Sequence, residues 1–250
     1  MLELKNIAVC YGQKPVLTDI SLPFPQSRLT AVIGPNGSGK STLLKAAMAL
    51  LPTAAGEINL DGQAISRLSR QALALKAAYL PQGKTVPDMT VGQLVLHGRF
   101  PHVRYPRRYT AKDKQVVVSA LDTLRIAELS SRPLGSLSGG MRQNAYIAMA
   151  LAQDTDYILL DEPTTYLDIA HQLELMRTLR KLASLGKGVV AVLHDLPLAF
   201  AFSDSIVVLR DGELILQGDP QEVYRHPAIQ EVFGVRLEYD RKEQSYRYRF

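Results

Sequence analysis

Hydrophobic and polar positions change their spacing several times along the chain, and each change marks an element. Residues 2–10 and 16–22 alternate in period two and predict strands separated by a turn at Tyr11 and Gly12. Leu29-Thr30-Ala31-Val32-Ile33 is a short apolar run, a buried strand that leads into a glycine-rich loop, with a helix starting at Lys40. Gly56 to Gly62 reads as an edge strand and turn, and Ala77 to Leu80 as a strand ending at Pro81 and Gln82. From about Thr90 the period lengthens. Thr90 and Thr110 are helix-cap residues, and Val116, Val117, Ala120, Leu121 and Leu124 recur at helical spacing, so residues 88–152 are expected to be mainly helical. Strands resume at Tyr157–Leu160, Gly188–Leu193 and Ile206–Leu209, separated by helical stretches 169–185 and 196–203. In the tail, Tyr246, Tyr248 and Phe250 alternate with Arg247 and Arg249, a half-buried hairpin that turns around Arg241 to Gln244. Strands alternating with helices predict an α/β fold with a mainly parallel core sheet covered by helices.

Composition narrows the function classes. A chain of 250 residues, 46% apolar and 21% charged, buries roughly 70–75% of its unfolded surface, enough for one sizeable core. The longest unbroken apolar run, Ala145 to Ala152, is far short of the roughly 20 residues that cross a bilayer. Met1 to Asn6 alternates like a strand and has no signal-peptide pattern. A single cysteine, Cys10, allows no internal disulfide, fits a reducing cytosol, and reads as a buried core thiol. The net charge of +5 fits nucleic acid or an anionic membrane surface. Its densest source, Arg99 to Tyr109, interleaves cations with aromatics, but its prolines make it an irregular loop, solvated or contacting a partner, rather than a nucleic-acid reader.

The chemistry begins at Gly34-Pro35-Asn36-Gly37-Ser38-Gly39-Lys40-Ser41. Glycines let consecutive amides turn inward around a polyphosphate. Lys40 then reaches the terminal phosphates, Ser41 ligates magnesium, Thr42 adds a phosphate contact, and the positive end of the next helix faces the anion. Tyr157-Ile158-Leu159-Leu160-Asp161-Glu162 is an apolar strand that delivers two carboxylates at its end, where ligands bind in parallel sheets. Leu193-His194-Asp195 follows a further apolar strand. In Leu137-Ser138-Gly139-Gly140, Ser138 caps a helix and leaves the Gly139 and Gly140 amides able to meet an anion, without a lysine or base of their own.

This order of motifs, over roughly residues 2–225, resembles the nucleotide-binding subunit of an ABC transporter. The resemblance implies a P-loop NTPase cassette as a single domain, residues 1–250. A RecA-like core with an antiparallel β region would occupy 1–87 and 153–235, a helical signature subdomain 88–152, and a β tail 236–250. It implies ATP and Mg2+ as cofactors, with Asp161 as the Walker B carboxylate and metal ligand, Glu162 as general base, and His194 on the terminal phosphate. Gln82 would be the Q-loop ligand of metal and water, Tyr11 the adenine-stacking aromatic, and Asp168 the D-loop aspartate. Ser138, Gly139 and Gly140 would close over ATP held by a second copy. Met141 stands where the family usually has glutamine, Asn144 where arginine is frequent, and Tyr166 departs from the commoner Ser-Ala-Leu-Asp form.

Two further stretches, Glu162 to Gln172 and Gly98-Arg99-Phe100-Pro101-His102, look like ATPase subunits of bacterial importers for iron-siderophore complexes, haem or cobalamin. The implied partners are transmembrane permease subunits at the cytoplasmic side of the cell membrane and, indirectly, a substrate-binding protein, with no direct cargo contact. An iron chelate is the first expectation; another cargo such as a metal ion, or a soluble ATPase acting on nucleic acid, is the alternative. Neither the second cassette nor the long coiled-coil insertion of the nucleic-acid class is present.

Overall fold

Strands apolar on both faces have nowhere to lie but inside a sheet covered on both sides. The computed structural model describes residues 1–83, 86–103, 108–240, 242–243 and 245–249. Its strands are β1 (Leu2–Tyr11), β2 (Lys14–Phe24), β3 (Leu29–Ile33), β4 (Ala55–Leu60), β5 (Gln63–Ala64), β6 (Ala77–Leu80), β7 (Tyr157–Asp161), β8 (Gly188–Val192), β9 (Ser205–Arg210), β10 (Glu213–Gly218), β11 (Arg236–Asp240) and β12 (Ser245–Arg249). The helices are α1 (Lys40–Ala47), α2 (Arg70–Lys76), α3 (Val91–His97), α4 (Ala111–Thr123), α5 (Gly139–Ala152), α6 (Ile169–Ser184), α7 (Leu196–Phe202), α8 (Pro220–Arg225) and α9 (Ala228–Phe233).

The core sheet has the order β10-β9-β3-β8-β7-β6, parallel from β9 to β6 with β10 antiparallel at the edge. Every residue of β3, β7 and β8 is buried. Side-chain alternation divides the apolar interior in two. Leu29, Ala31, Ile33, Ile158 and Leu160 join the cluster that includes α3, α4, α5 and α6. Val32, Leu159, Val190 and Val192 join the cluster beneath α1 and the second sheet. That second sheet is antiparallel, with order β2-β1-β4-β5. Gly56 to Gly62 was expected at an edge, but β4 lies between β1 and the short β5, whose two residues cover its free side. Tyr157 links the two sheets: its hydroxyl accepts from Leu2 N at 3.0 Å and donates to Phe24 O at 3.1 Å.

Thr90 and Thr110 both close capping boxes, with Gln93 and Asp113 reaching back to the cap backbone. Gly98 follows α3 where a Cβ would come within 2.2 Å of Met149 O on α5, so only glycine permits this approach. The reading of Arg99 as part of a solvated loop is corrected. Arg99 is 4% exposed; its Nε meets Asp113 Oδ1 at 3.0 Å, and its Nη1 donates to Ala152 O at 2.9 Å. His102 Nε2 adds a contact to Gln153 O at 2.8 Å. The cation is used to join three helices at a point where α5 ends. Residues 104–107 of the same basic stretch lie outside the described residues.

In the tail β11 and β12 pair in register from Arg236↔Arg249 to Asp240↔Ser245. Tyr239 and Tyr246 pack at 4.8 Å between ring centroids, against Tyr224 and, for Tyr246, Phe200. Arg241, Gln244 and Phe250, named in the expected hairpin, lie outside the described residues. Cys10, expected to be buried, is half-buried.

Candidate functional site

The loop between β3 and α1 is built by close packing. At Gly34 a Cβ would stand 2.1 Å from Leu209 O and 2.7 Å from Ser38 Oγ, so the backbone lies flush against β9. Lys40 Nζ, at the start of α1, donates to Gly34 O at 2.9 Å and Pro35 O at 2.8 Å, folding the side chain back across its own loop. It is only 6% exposed. Burial lowers its pKa, and the charges of Glu162 and Asp161 offset only part of that effect. The Ser38 hydroxyl is buried without a partner among the described residues.

The two acids leave β7 in different environments. Asp161 is 3% exposed, and burial raises its pKa against the opposing effect of its hydrogen bonds. Ser41 Oγ donates to its Oδ1 at 2.9 Å, and Tyr79 Oη donates to its Oδ2 at 3.2 Å. Burial also pushes the Tyr79 phenol well above its ordinary value, with the Asp161 charge acting in the same direction. Glu162 adopts a left-handed φ of 51°, a conformation that costs a non-glycine residue free energy and turns its side chain off the strand line. Gln82 Nε2 donates to Glu162 Oε2 at 2.6 Å, Thr165 Oγ1 donates to the same oxygen at 3.2 Å, and His194 Nε2 lies 2.6 Å from Oε1. Gln82 follows β6, Glu162 follows β7 and His194 follows β8, so three adjacent strand ends converge on one carboxylate.

These groups face a cavity of about 620 Å3, lined by Val16, Asn36, Gly37, Gly39, Lys40, Ser41, Thr42, Gln82, Glu162 and His194. The structure thus brings the phosphate loop, Gln82, Glu162 and His194 to one place. Ser138, Gly139 and Gly140 do not line it. Ser138 Oγ accepts from Met141 N at 3.3 Å and caps α5, while Gly139 lines a separate cavity with Gly83, Val86, Arg142, Gln143, Tyr146 and Tyr166. Asp168 caps α6, accepting from His171 N at 2.9 Å and meeting His171 Nδ1 at 2.8 Å. The backbone N–H of His171 is the leading cause of its lowered pKa. Tyr11, at the end of β1, is 49% exposed and does not line the phosphate cavity.

The sequence pattern of the ABC transporter family matches residues 17–165. The chain belongs to the ABC transporter family. Among relatives of this ABC cassette, the petrobactin import ATP-binding protein FpuD of Bacillus anthracis is 43% identical over 93% of this chain and 86% of its own length. The iron(3+)-hydroxamate import ATP-binding protein FhuC of Bacillus subtilis is 40% identical over 95% of this chain and 89% of its own. Among solved structures, a transporter assigned to the metal-chelate type, in an inward-facing conformation, aligns with a TM-score of 0.84 at 27% identity, covering 100% of this chain and 97% of that one. A bacterial ABC transporter cassette solved as a dimer aligns with a TM-score of 0.78 at 28% identity, over 88% of this chain and 99% of that chain. As an ABC ATPase, the cassette hydrolyses ATP to drive transport. No helix among its described residues is long and apolar enough to cross a membrane.

Sequence reasoning missed Val16, which lines the cavity of this ABC cassette, and Thr165 and Tyr79, which hold its two acids. A signal for Tyr79 existed. Period two in β6 puts it on the same side as Ala77, the side packed with the cluster beneath α1.

Proposed function

We propose that this chain is the ATP-hydrolysing subunit of a bacterial importer for iron chelates, acting as two identical copies on separate permease subunits at the cytoplasmic face of the membrane. The observation that carries the hydrolytic assignment is the Glu162 carboxylate, held on one oxygen by Gln82 and met on the other by His194, in the cavity that contains Lys40.

Phosphoryl transfer asks a protein for positioning and charge stabilisation. The loop Gly34 to Gly39 and the first-turn amides of α1 surround the phosphates, Lys40 gives its ammonium to the terminal ones, and Thr42 adds a contact. The orphaned Ser38 hydroxyl has the chemistry to meet a phosphate oxygen. Glu162 orients and polarises the attacking water, with Gln82 and His194 fixing its plane, and His194 contacts the terminal phosphate. Magnesium suits the Ser41 hydroxyl and Asp161 carboxylate, a hard oxygen pair 2.9 Å apart, with Gln82 as a further oxygen donor. When bound, it would neutralise phosphate charge. Tyr11 would stack on adenine, a role supported by its half-exposed ring at the end of β1.

The capped end of α5 is the anion-binding element that lacks a base, so Ser138, Gly139 and Gly140 serve the ATP of the other copy, and Asp168 links the two sites. Permease subunits carry the cargo and a binding protein delivers it, so no residue here touches the chelate. The cargo class rests on relatives whose names record petrobactin and iron(3+)-hydroxamate import.

Two inactive variants test the shared site. Lys40→Ala and Ser138→Arg each abolish phosphate release alone; mixed, with their permease, they restore magnesium-dependent hydrolysis through the one composite site that retains both residues. Failure of the mixture to recover activity, with both variants folded, rejects the shared site. Loss of growth on ferric chelates as the iron source after deletion of this subunit tests the cargo, and unchanged growth on them rejects it.

A further inference from the structure

The two carboxylates at the end of β7 are gripped by one side chain in β6 and one just beyond its end. Gln82 reaches Glu162, and Tyr79, three residues earlier, reaches Asp161. We propose that Tyr79 is a positioning residue for the metal-holding carboxylate: its hydroxyl fixes the plane of Asp161 so that Oδ1 stays on the Ser41 hydroxyl and toward the metal that accompanies ATP. This rests on the magnesium reading of Asp161 given above.

Torsion about the last bond of an aspartate is broad and two-fold, so packing alone does not choose where its oxygens point. Asp161 is nearly fully buried, where each oxygen needs a donor. Its two oxygens have different donors, Ser41 on Oδ1 at 2.9 Å and Tyr79 on Oδ2 at 3.2 Å, so the carboxylate plane is defined from two sides. Ser41 belongs to the first turn of α1 and lines the cavity proposed to take the nucleotide. Tyr79 belongs to a strand, paired with Leu159 of β7 in the parallel ladder, and supplies a reference that the nucleotide does not move. It donates from a half-buried position against the cluster beneath α1, which fixes its ring. A phenylalanine would fill that packing equally well and would lack only the oxygen.

Tyr79→Phe therefore separates the two roles. Manganese binding to the protein–ADP complex, followed by electron paramagnetic resonance, is expected to weaken roughly 10- to 20-fold, the lower range for one hydrogen bond to a charged group. Nucleotide binding in excess EDTA and the thermal midpoint are expected to stay at wild-type values. Manganese affinity within twofold of wild type overturns the proposal, as does a matching loss of nucleotide affinity in EDTA, which would make Tyr79 a packing residue of the loop. Asp161→Asn in the same titration separates this failure from the parent one. If Asp161→Asn weakens manganese and Tyr79→Phe does not, only the role of Tyr79 falls; if neither does, the metal reading of Asp161 falls with it.

Discussion

Gln82 and Glu162 meet at 2.6 Å, amide to carboxylate, although they are 80 residues apart in the chain. The contact exists because β6 and β7 pair in parallel from Ala77↔Tyr157 to Leu80↔Leu160, so both side chains leave the sheet at the same end. Glu162→Gln keeps the shape and removes the carboxylate proposed as the base. Hydrolysis is expected to fall by roughly 100-fold or more while bound ATP is retained, measured by single-turnover phosphate release and nucleotide retention on a filter. Gln82→Ala frees one oxygen only and should give a smaller loss.

Lys40→Ala removes the ammonium that bonds Gly34 O and Pro35 O and is proposed to bond the phosphates of ATP. Charged hydrogen bonds contribute about 1.5–3 kcal/mol each, so ATP affinity is expected to drop roughly 10- to 100-fold. Titration with a fluorescent ATP analogue checks this, and adenosine affinity should hold.

Gly34→Ala places a Cβ 2.1 Å from the Leu209 carbonyl, a backbone atom of a residue paired with Leu214 in the β9–β10 ladder. The loop must move away from β9, and nucleotide binding should be lost while the protein still folds. Calorimetric titration with ATP, beside a circular dichroism melt, reads both quantities.

Arg99→Ala removes the charge partner of the buried Asp113, which keeps its Thr110 hydrogen bonds, and is expected to cost roughly 3 kcal/mol, the low end for breaking a buried pair, lowering the thermal midpoint by about 6–12 °C. Hydrogen bonds from Thr110, then the Arg99 guanidinium, hold the Asp113 pKa down to about 2. A depressed carboxylate gives its full contribution above its unfolded value of about 4 and loses it as pH falls toward 2. Asp113→Asn should thus be less stable than wild type at neutral pH and show a shallower decline of stability below about pH 4. Urea titrations across that window measure the difference.

Periodicity carried most of the core sheet because its strands are apolar over their whole length, leaving little competition between helix and strand. It missed β10, α8 and α9, where burial is partial, yet local signals were present. Asp211 and Gly212 both take positive φ between β9 and β10, the backbone of a tight hairpin, and Asp219 caps α8 with Pro220 in its first turn. The phosphate loop and the Asp161-Glu162 pair were legible from their residues beside apolar strands, whereas Gln82 and His194 were singled out only by the resemblance in motif order; the structure puts both beside strand ends. Arg99 was misread because charge alone does not reveal burial; its partner Asp113 is 14 residues on, within a helix whose cap uses the same carboxylate. Tyr79 was missed because its role depends on which strand lies beside β6, a fact of topology rather than of spacing.

If the site is shared between two copies as proposed, the separation of the α5 cap from the phosphate cavity has a kinetic consequence. An enzyme whose halves come from two molecules has no fixed specific activity: turnover per chain climbs with protein concentration and levels off only when pairing saturates. A permease with two seats removes that dependence by holding both copies at a high effective concentration. The abundance of this subunit in a cell then matters until the seats are filled, and any excess beyond that is idle protein that consumes little ATP.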